Sequence, residues 1–327
     1  MNKLDIILQD ARETVKKCDF SWLEGKTVLV TGATGLLGTH FLATLALLKE
    51  RGMKIDVFGI CHSDPADYTN EIARLGGIYL VDQWHYHTDV VIHAAGFAQP
   101  LKFTSNPAET IRLNTTWTQQ LLEQLRPLGK FLFVSSSEVY SGLSGTVKES
   151  DIGTTNPSHP RACYIEGKRC GETIVNAYRG MGTDAKSARL GLTYGPGYRK
   201  DDKRAMSTFI EQALTYKWIQ MKYSGTEFRS FCYVRDAVET LWNILLRGTQ
   251  SVYNVGSPTE YTIGQVASTI ARISESQIQF PEDVIELAGA NGNVVMSNVL
   301  AQMEFGKYDY VSLEDGLRNT IEWHRGL

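Results

Sequence analysis

Residues 26–31, Lys-Thr-Val-Leu-Val-Thr, run directly into Gly32-Ala33-Thr34-Gly35-Leu36-Leu37-Gly38. The apolar run predicts a buried parallel strand, and a helix is predicted from about Leu36 to Arg51. A Gly-x-x-Gly-x-x-Gly loop between a strand and a helix is the setting a pyrophosphate requires. The glycines permit a tight turn and close approach of backbone to phosphate. The helix start then offers free N–H groups and the positive end of its dipole. This one segment commits the chain to a βαβ architecture that binds a dinucleotide.

The same rhythm continues downstream. Residues 54–61 read as a second strand, and Asp89 to His93 as a third, ending in Ala94-Ala95-Gly96. A helix is expected after Pro107, with Ile111, Leu113, Leu121, Leu122 and Leu125 as its apolar positions. A strand at Lys130–Ser135, a helix around Tyr164 and a strand at 185–190 complete the series. Alternation of this kind predicts an α/β fold, a Rossmann-type doubly wound parallel sheet. After about residue 191 the pattern changes to short mixed elements. We therefore expect residues 1–190 to form the NAD(P)-binding domain, with 229–256 returning to it. Residues 191–327 are expected to form mainly a smaller mixed α/β substrate domain.

The first 17 residues predict an amphipathic helix with Leu4, Ile7, Leu8, Ala11 and Val15 on one side. They lack the apolar region and cleavage site of a signal peptide. The longest apolar run, Phe41 to Leu48, is broken by Thr44 and far short of a membrane span of ~20 residues; it is expected to bury one helix face. Net charge is −3 with no basic stripe, so neither nucleic acid nor membrane is an expected partner. Five scattered cysteines without C-x-x-C spacing point to reduced thiols and a cytoplasmic setting. His85 and His87 have no accompanying cysteine or carboxylate cluster, so no metal site is expected.

Tyr164 and Lys168 stand four residues apart, one turn along a helix face. An ammonium there is expected to favour the phenolate and lower the tyrosine pKa from its ordinary value near ~10. Such a tyrosine can exchange a proton with an alcohol or sugar hydroxyl. At the end of the second strand, where NAD enzymes carry an acid for the ribose, stand Cys61-His62-Ser63. No arginine stands there to attract a 2′-phosphate. NAD is the expected cofactor, with NADP as the alternative.

Four stretches together carry a resemblance: Ser136-Ser137-Glu138-Val139-Tyr140, Asn156-Pro157 through Arg169, the Tyr-Gly-Pro segment at 194–210, and Arg229-Ser230-Phe231-Cys232-Tyr233-Val234. From about residue 25 to 275 the chain resembles the extended short-chain dehydrogenase/reductases. Within them it is most similar to the UDP-glucuronate decarboxylases. The resemblance implies Tyr164 as acid/base on a sugar 4-hydroxyl and as a cofactor contact, Lys168 on the nicotinamide ribose, Ser136 beside the tyrosine, and Glu138 near C5. Gly32, Thr34, Gly35, Leu36, Leu37 and Gly38 would line the cofactor phosphates, with His62, Ser63, Ala94 and Ala95 on its adenosine side. Arg161, Arg204, Thr208 and Arg229 would face the substrate, a nucleotide sugar. A homodimer through helices near 107–125 and 164–179 is also implied.

The chain departs from that pattern at Leu192, Gly197, Thr208 and the loop Gly96-Phe97-Ala98-Gln99-Pro100, all on the expected substrate side. The expected reaction is nicotinamide-dependent oxidation at sugar C4, with decarboxylation first. A 4-epimerase, 4-dehydrogenase or 4-ketoreductase on another nucleotide sugar is the alternative. A non-catalytic NAD(P)-binding regulator is the reading from a different class.

Overall fold

The computed structural model describes residues 2–198, 202–281 and 294–326. Its centre is a parallel sheet of seven strands. These are β1 (Thr27–Thr31), β2 (Asp56–Ile60), β3 (Tyr79–Val81), β4 (Thr88–His93), β5 (Leu125–Ser136), β7 (Asp184–Leu190) and β11 (Val252–Val255). Their order is β11-β7-β5-β4-β1-β2-β3. The chain moves outward from β1 in one direction, then returns to fill the other, the doubly wound arrangement that the alternation predicts. The last of these strands, β11, pairs with β7 and so belongs to the main sheet.

Strand period explains both faces. Val28 and Val30 join one core cluster while Leu29 between them joins the other, all fully buried. The first cluster packs against α2 (Leu36–Glu50) and α9 (Val234–Arg247), with α1 (Lys3–Lys17) and α3 (Asp67–Gly76) alongside. On the opposite face, Leu121, Leu122 and Val175 cover Leu29, Val91, Phe131 and Phe133. The covering residues belong to α6 (Thr116–Glu123) and α7 (Ala162–Gly180); α4 (Pro100–Ser105) and α5 (Pro107–Asn114) pack with α7.

Two expectations need correction. The helix expected after Pro107 is two helices broken at Thr115, and Leu125 already belongs to β5. The run Phe41 to Leu48 does not bury a single face; every residue in it is buried, Thr44 included. The reason is that α1, α3, α9 and the sheet surround α2, and Thr44 satisfies its hydroxyl on the His40 carbonyl at 2.9 Å.

Beyond β7 the strands are short and form small separate sheets, apart from β11. β8 (Leu192–Tyr194), β10 (Phe228–Tyr233) and β12 (Glu260–Thr262) form a three-stranded sheet. β9 (Trp218–Gln220) pairs with β13 (Gln277–Gln279), and β6 (Gly145–Val147) with β14 (Val294–Met296). The helices α8 (Ala205–Tyr216), α10 (Ile263–Ser274), α11 (Val299–Phe305) and α12 (Leu313–Arg325) complete the chain.

Candidate active site

Gly32 to Gly38, Ala94, Ala95 and Ser136 gather at the C-terminal ends of β1, β4 and β5, where open α/β sheets place ligands. At β1, Gly32 takes a φ of +68°, and a Cβ there would stand 2.8 Å from the Ala94 carbonyl oxygen. A Cβ on Gly38 would lie 2.1 Å from the Gly32 oxygen, so neither position accepts a side chain without displacing backbone. Gly35 is the N-cap of α2 and provides no side-chain cap, leaving the first N–H groups of the helix facing outward. Thr34 and Ser63 meet hydroxyl to hydroxyl at 3.1 Å, which ties the end of β2 to the loop. His62 is exposed beside it. Gly32, Gly35, Leu36 and Leu37 keep partial exposure, and the cradle suits a dinucleotide pyrophosphate.

The adjoining loop is fixed by two residues that no sequence motif marks. Thr31 donates to His93 Nδ1 at 2.7 Å and accepts from the Ala95 N–H at 3.1 Å. His93 then donates from Nε2 to the Leu113 carbonyl at 3.0 Å. Burial, with the Lys168 charge second, pushes the imidazole down to about 3, so His93 is neutral and serves as a fixed spacer under Ala94 and Ala95. Thr31 and His93 are both last residues of inner strands, and that shared position is the signal that could have found them.

Tyr164 is buried in the first turns of α7, its ring stacked on Phe103 at 4.7 Å and 12°. Ser136 at the end of β5 hydrogen-bonds its hydroxyl. Lys168 lies on the same helix face, 5.7 Å from the Tyr164 ring centroid, and donates to the Val134 carbonyl at 2.7 Å. The lowering of the Tyr164 pKa expected from Lys168 is not found. Burial raises the Tyr164 pKa; the Ser136 hydrogen bond and the charges of Arg204 and Arg161 oppose it, while Glu138 adds to it. Lys168 is itself pushed down to about 7 by burial, with Glu172 opposing, so its positive charge is weakly held.

The charges that act on this tyrosine, Glu138, Arg161 and Arg204, are held in ion pairs. Arg161 donates to Glu138 at 2.5 Å. Arg204 forms a fork on Asp202, at 2.6 Å from its terminal nitrogen, and lies over the Tyr198 ring. Thr208 is one turn further along α8, its N–H bonded to the Arg204 carbonyl. Arg229 is on β10 and donates to the Phe228 carbonyl at 2.7 Å. Within the Tyr-Gly-Pro segment, residues 199–201 lie outside the described residues.

Below Ser136 and Glu138 lies a buried network. Arg189 grips Glu172 at 2.8 Å and 3.0 Å, Glu172 accepts from Ser135 at 2.5 Å, and Arg189 also donates to the Tyr140 hydroxyl at 2.8 Å. Tyr140 donates to Asn254 at 2.7 Å, so Asn254 is structural and joins the Ser136–Tyr140 turn to β11. Among the described residues no group of three or more His, Cys, Asp or Glu could hold a metal ion.

In sequence and fold the chain is similar to several known proteins. The model of the NAD dependent epimerase/dehydratase family matches residues 28–256. UDP-glucuronic acid decarboxylase 1 of Danio rerio is 31% identical over 306 residues, covering 91% of this chain and 72% of that protein. UDP-glucuronic acid decarboxylase 5 of Arabidopsis thaliana is 37% identical over 260 residues, 77% of this chain and 76% of that one. Among solved structures, UDP-glucuronic acid 4-epimerase from Bacillus cereus, in complex with UDP-glucuronic acid and NAD, superposes with a TM-score of 0.75 at 25% identity. It covers 91% of this chain and 99% of its own.

Proposed function

This chain belongs to the NAD dependent epimerase/dehydratase family, and from that premise we propose that it decarboxylates a nucleotide-linked hexuronate, UDP-glucuronate first. It is an enzyme that modifies a nucleotide sugar through NAD-dependent chemistry at C4. The observation that carries the choice of reaction is Glu138, whose N–H donates to the Ser136 hydroxyl and whose charge is coupled to the buried Tyr164.

The cradle of Gly32, Gly35 and Gly38 would hold the pyrophosphate of NAD, with Lys168 at its nicotinamide ribose. Bound there, NAD would supply the hydride chemistry at C4. Tyr164 takes the proton from the 4-hydroxyl, and Ser136 holds that oxygen against the tyrosine. The resulting 4-ketone makes a C5 carboxylate a β-keto acid; the C5–carboxyl bond breaks to release carbon dioxide, its electron pair passes into a C4–C5 enolate, and C5 takes a proton from water to restore the 4-ketone. Tyr164 then returns the proton as the ketone is reduced. The buried Phe103 ring, stacked on Tyr164, would orient it for these transfers.

The test is carbon dioxide release from UDP-, CDP-, GDP- and dTDP-hexuronates by the NAD-loaded protein. Release from one of them is expected, and none from any would sink decarboxylation. The fold likeness to a 4-epimerase favours epimerisation as the second reading, which predicts a C4-inverted product with carbon dioxide retained. Five free cysteines support a cytoplasmic setting. No described helix is long and apolar enough to cross a membrane. A homodimer through α5, α6 and α7 belongs to the same reading.

A further inference from the structure

The Arg161–Glu138 pair is built differently from a structural ion pair. Both side chains stay partly open, at 29% and 21% exposure, beside a tyrosine that is itself buried. The Arg161 guanidinium lies over one side of the system formed by Phe103 and Tyr164, 5.6 Å from the Phe103 ring centroid. Phe103 is 1% exposed, so this platform is packed into the fold. The Nε of Arg161 is buried and has no acceptor among the described residues. Glu138 thus engages a terminal nitrogen and leaves part of the fork unused. A guanidinium fork matches a carboxylate through two parallel hydrogen bonds, and a stacked arginine is already oriented for it. A buried donor without an acceptor costs free energy until something supplies one.

We propose that Arg161 is the receptor for the sugar carboxylate, and that Glu138 is an internal stand-in which the substrate carboxylate displaces. This rests on the hexuronate reading above and adds how the acid is recognised. Two carboxylates cannot share one arginine without repulsion, so the substrate must dislodge Glu138 or force it to take a proton. Displacement delivers a free carboxylate beside the acid/base tyrosine only when the substrate is an acid. A neutral sugar leaves the pair closed. The same exchange makes Glu138 a competitor for binding, which yields a prediction of opposite sign for the two partners.

The experiment is calorimetric titration of NAD-loaded protein in a Tyr164→Phe background, where turnover is blocked, with UDP-glucuronate and UDP-glucose at neutral pH. The background protein should prefer UDP-glucuronate. Adding Arg161→Gln should cost UDP-glucuronate ~10- to 100-fold, the scale of charged hydrogen bonds, and leave UDP-glucose within about 2-fold. Adding Glu138→Gln should tighten UDP-glucuronate several-fold and leave UDP-glucose unchanged; a gain of affinity cannot arise from misfolding. The inference is overturned, with the substrate reading intact, if Arg161→Gln affects both ligands equally or neither, or if Glu138→Gln weakens UDP-glucuronate. Binding of neither nucleotide sugar by the background protein would remove the substrate reading and this inference with it.

Discussion

The two halves of the site are made from different materials. The cofactor side is shaped by backbone: Gly32 and Gly38 exclude side chains, and an uncapped helix start faces the space they leave. The substrate side is shaped by charge, and its charges are already spent on one another, Arg161 on Glu138 and Arg204 on Asp202. A backbone cradle is complete before ligand arrives. A set of paired side chains is complete only after exchange. Substitutions on one side should therefore change affinity for a preformed site, and on the other should change which ligand wins.

The largest break in this comparison is Tyr164→Phe. Removal of a general acid/base costs ~10²- to 10⁴-fold in turnover. Carbon dioxide release from the hexuronate should fall by that factor while NAD affinity, which belongs to the cradle, stays within about 2-fold. A parallel loss of NAD binding would show that the two sides are one cooperative unit.

Next is the support under the charged side. Arg189 and Glu172 are both nearly fully buried, and Arg189 carries hydrogen bonds to Tyr140 and to the Glu149 and Asp151 carbonyls besides. Breaking such a pair leaves an uncompensated buried charge and costs ~3–5 kcal/mol. Arg189→Met should lower the denaturant midpoint accordingly. Arg189→Met with Glu172→Met should recover part of the loss, since no lone carboxylate then remains. A single variant as stable as the parent would mean that the network does not hold the Ser136–Glu138 turn.

These two sides also differ in how far they can be read from sequence. A glycine loop between a strand and a helix states its own geometry, because only one residue type fits and its neighbours are contiguous. The Tyr164–Lys168 spacing is equally local, and both residues do share one helix face. Their electrostatics are not local, because burial is a property of the packed molecule: the Phe103 stack and the cover around Lys168 come from elements far away in sequence. Glu138 and Arg161, 23 residues apart, carry no local sign that they pair. The break at Thr115 is hidden for a similar reason, since helical periodicity continues through it.

On the cofactor side, Gly38→Ala would set a methyl 2.1 Å from the Gly32 oxygen and 2.7 Å from the Ala33 Cα. Overpacking of this kind costs ~1–3 kcal/mol. NAD affinity should fall ~10- to 100-fold by titration, with the hexuronate-over-glucose preference of the protein saturated with NAD unchanged. A shift in that preference would contradict a preformed cradle independent of the charged side.

Asp10 gives the smallest effect and a control outside both regions. It stands on α1, which packs on the glycine-loop helix α2, and its carboxylate accepts from the Tyr233 hydroxyl at 2.7 Å. Burial pushes the carboxyl up to about 7; Tyr233 and Arg235 oppose this, while Asp236 and Glu13 add to it. The unfolded chain releases this proton near ~3.9, so between there and about 7 the folded state holds a proton that the unfolded state lacks. The contribution to stability is full at low pH and is lost as pH rises through that window, at up to ~1.4 kcal/mol per pH unit. Urea midpoints measured from pH 4 to 7 should fall less steeply for Asp10→Asn than for the parent. The pH profile of turnover should not move, because α1 supports the cradle from behind and supplies no charge to Tyr164. A displaced kinetic profile would show that charge outside the site reaches the tyrosine through α2, and the division between a backbone-built half and a charge-built half would have to be given up.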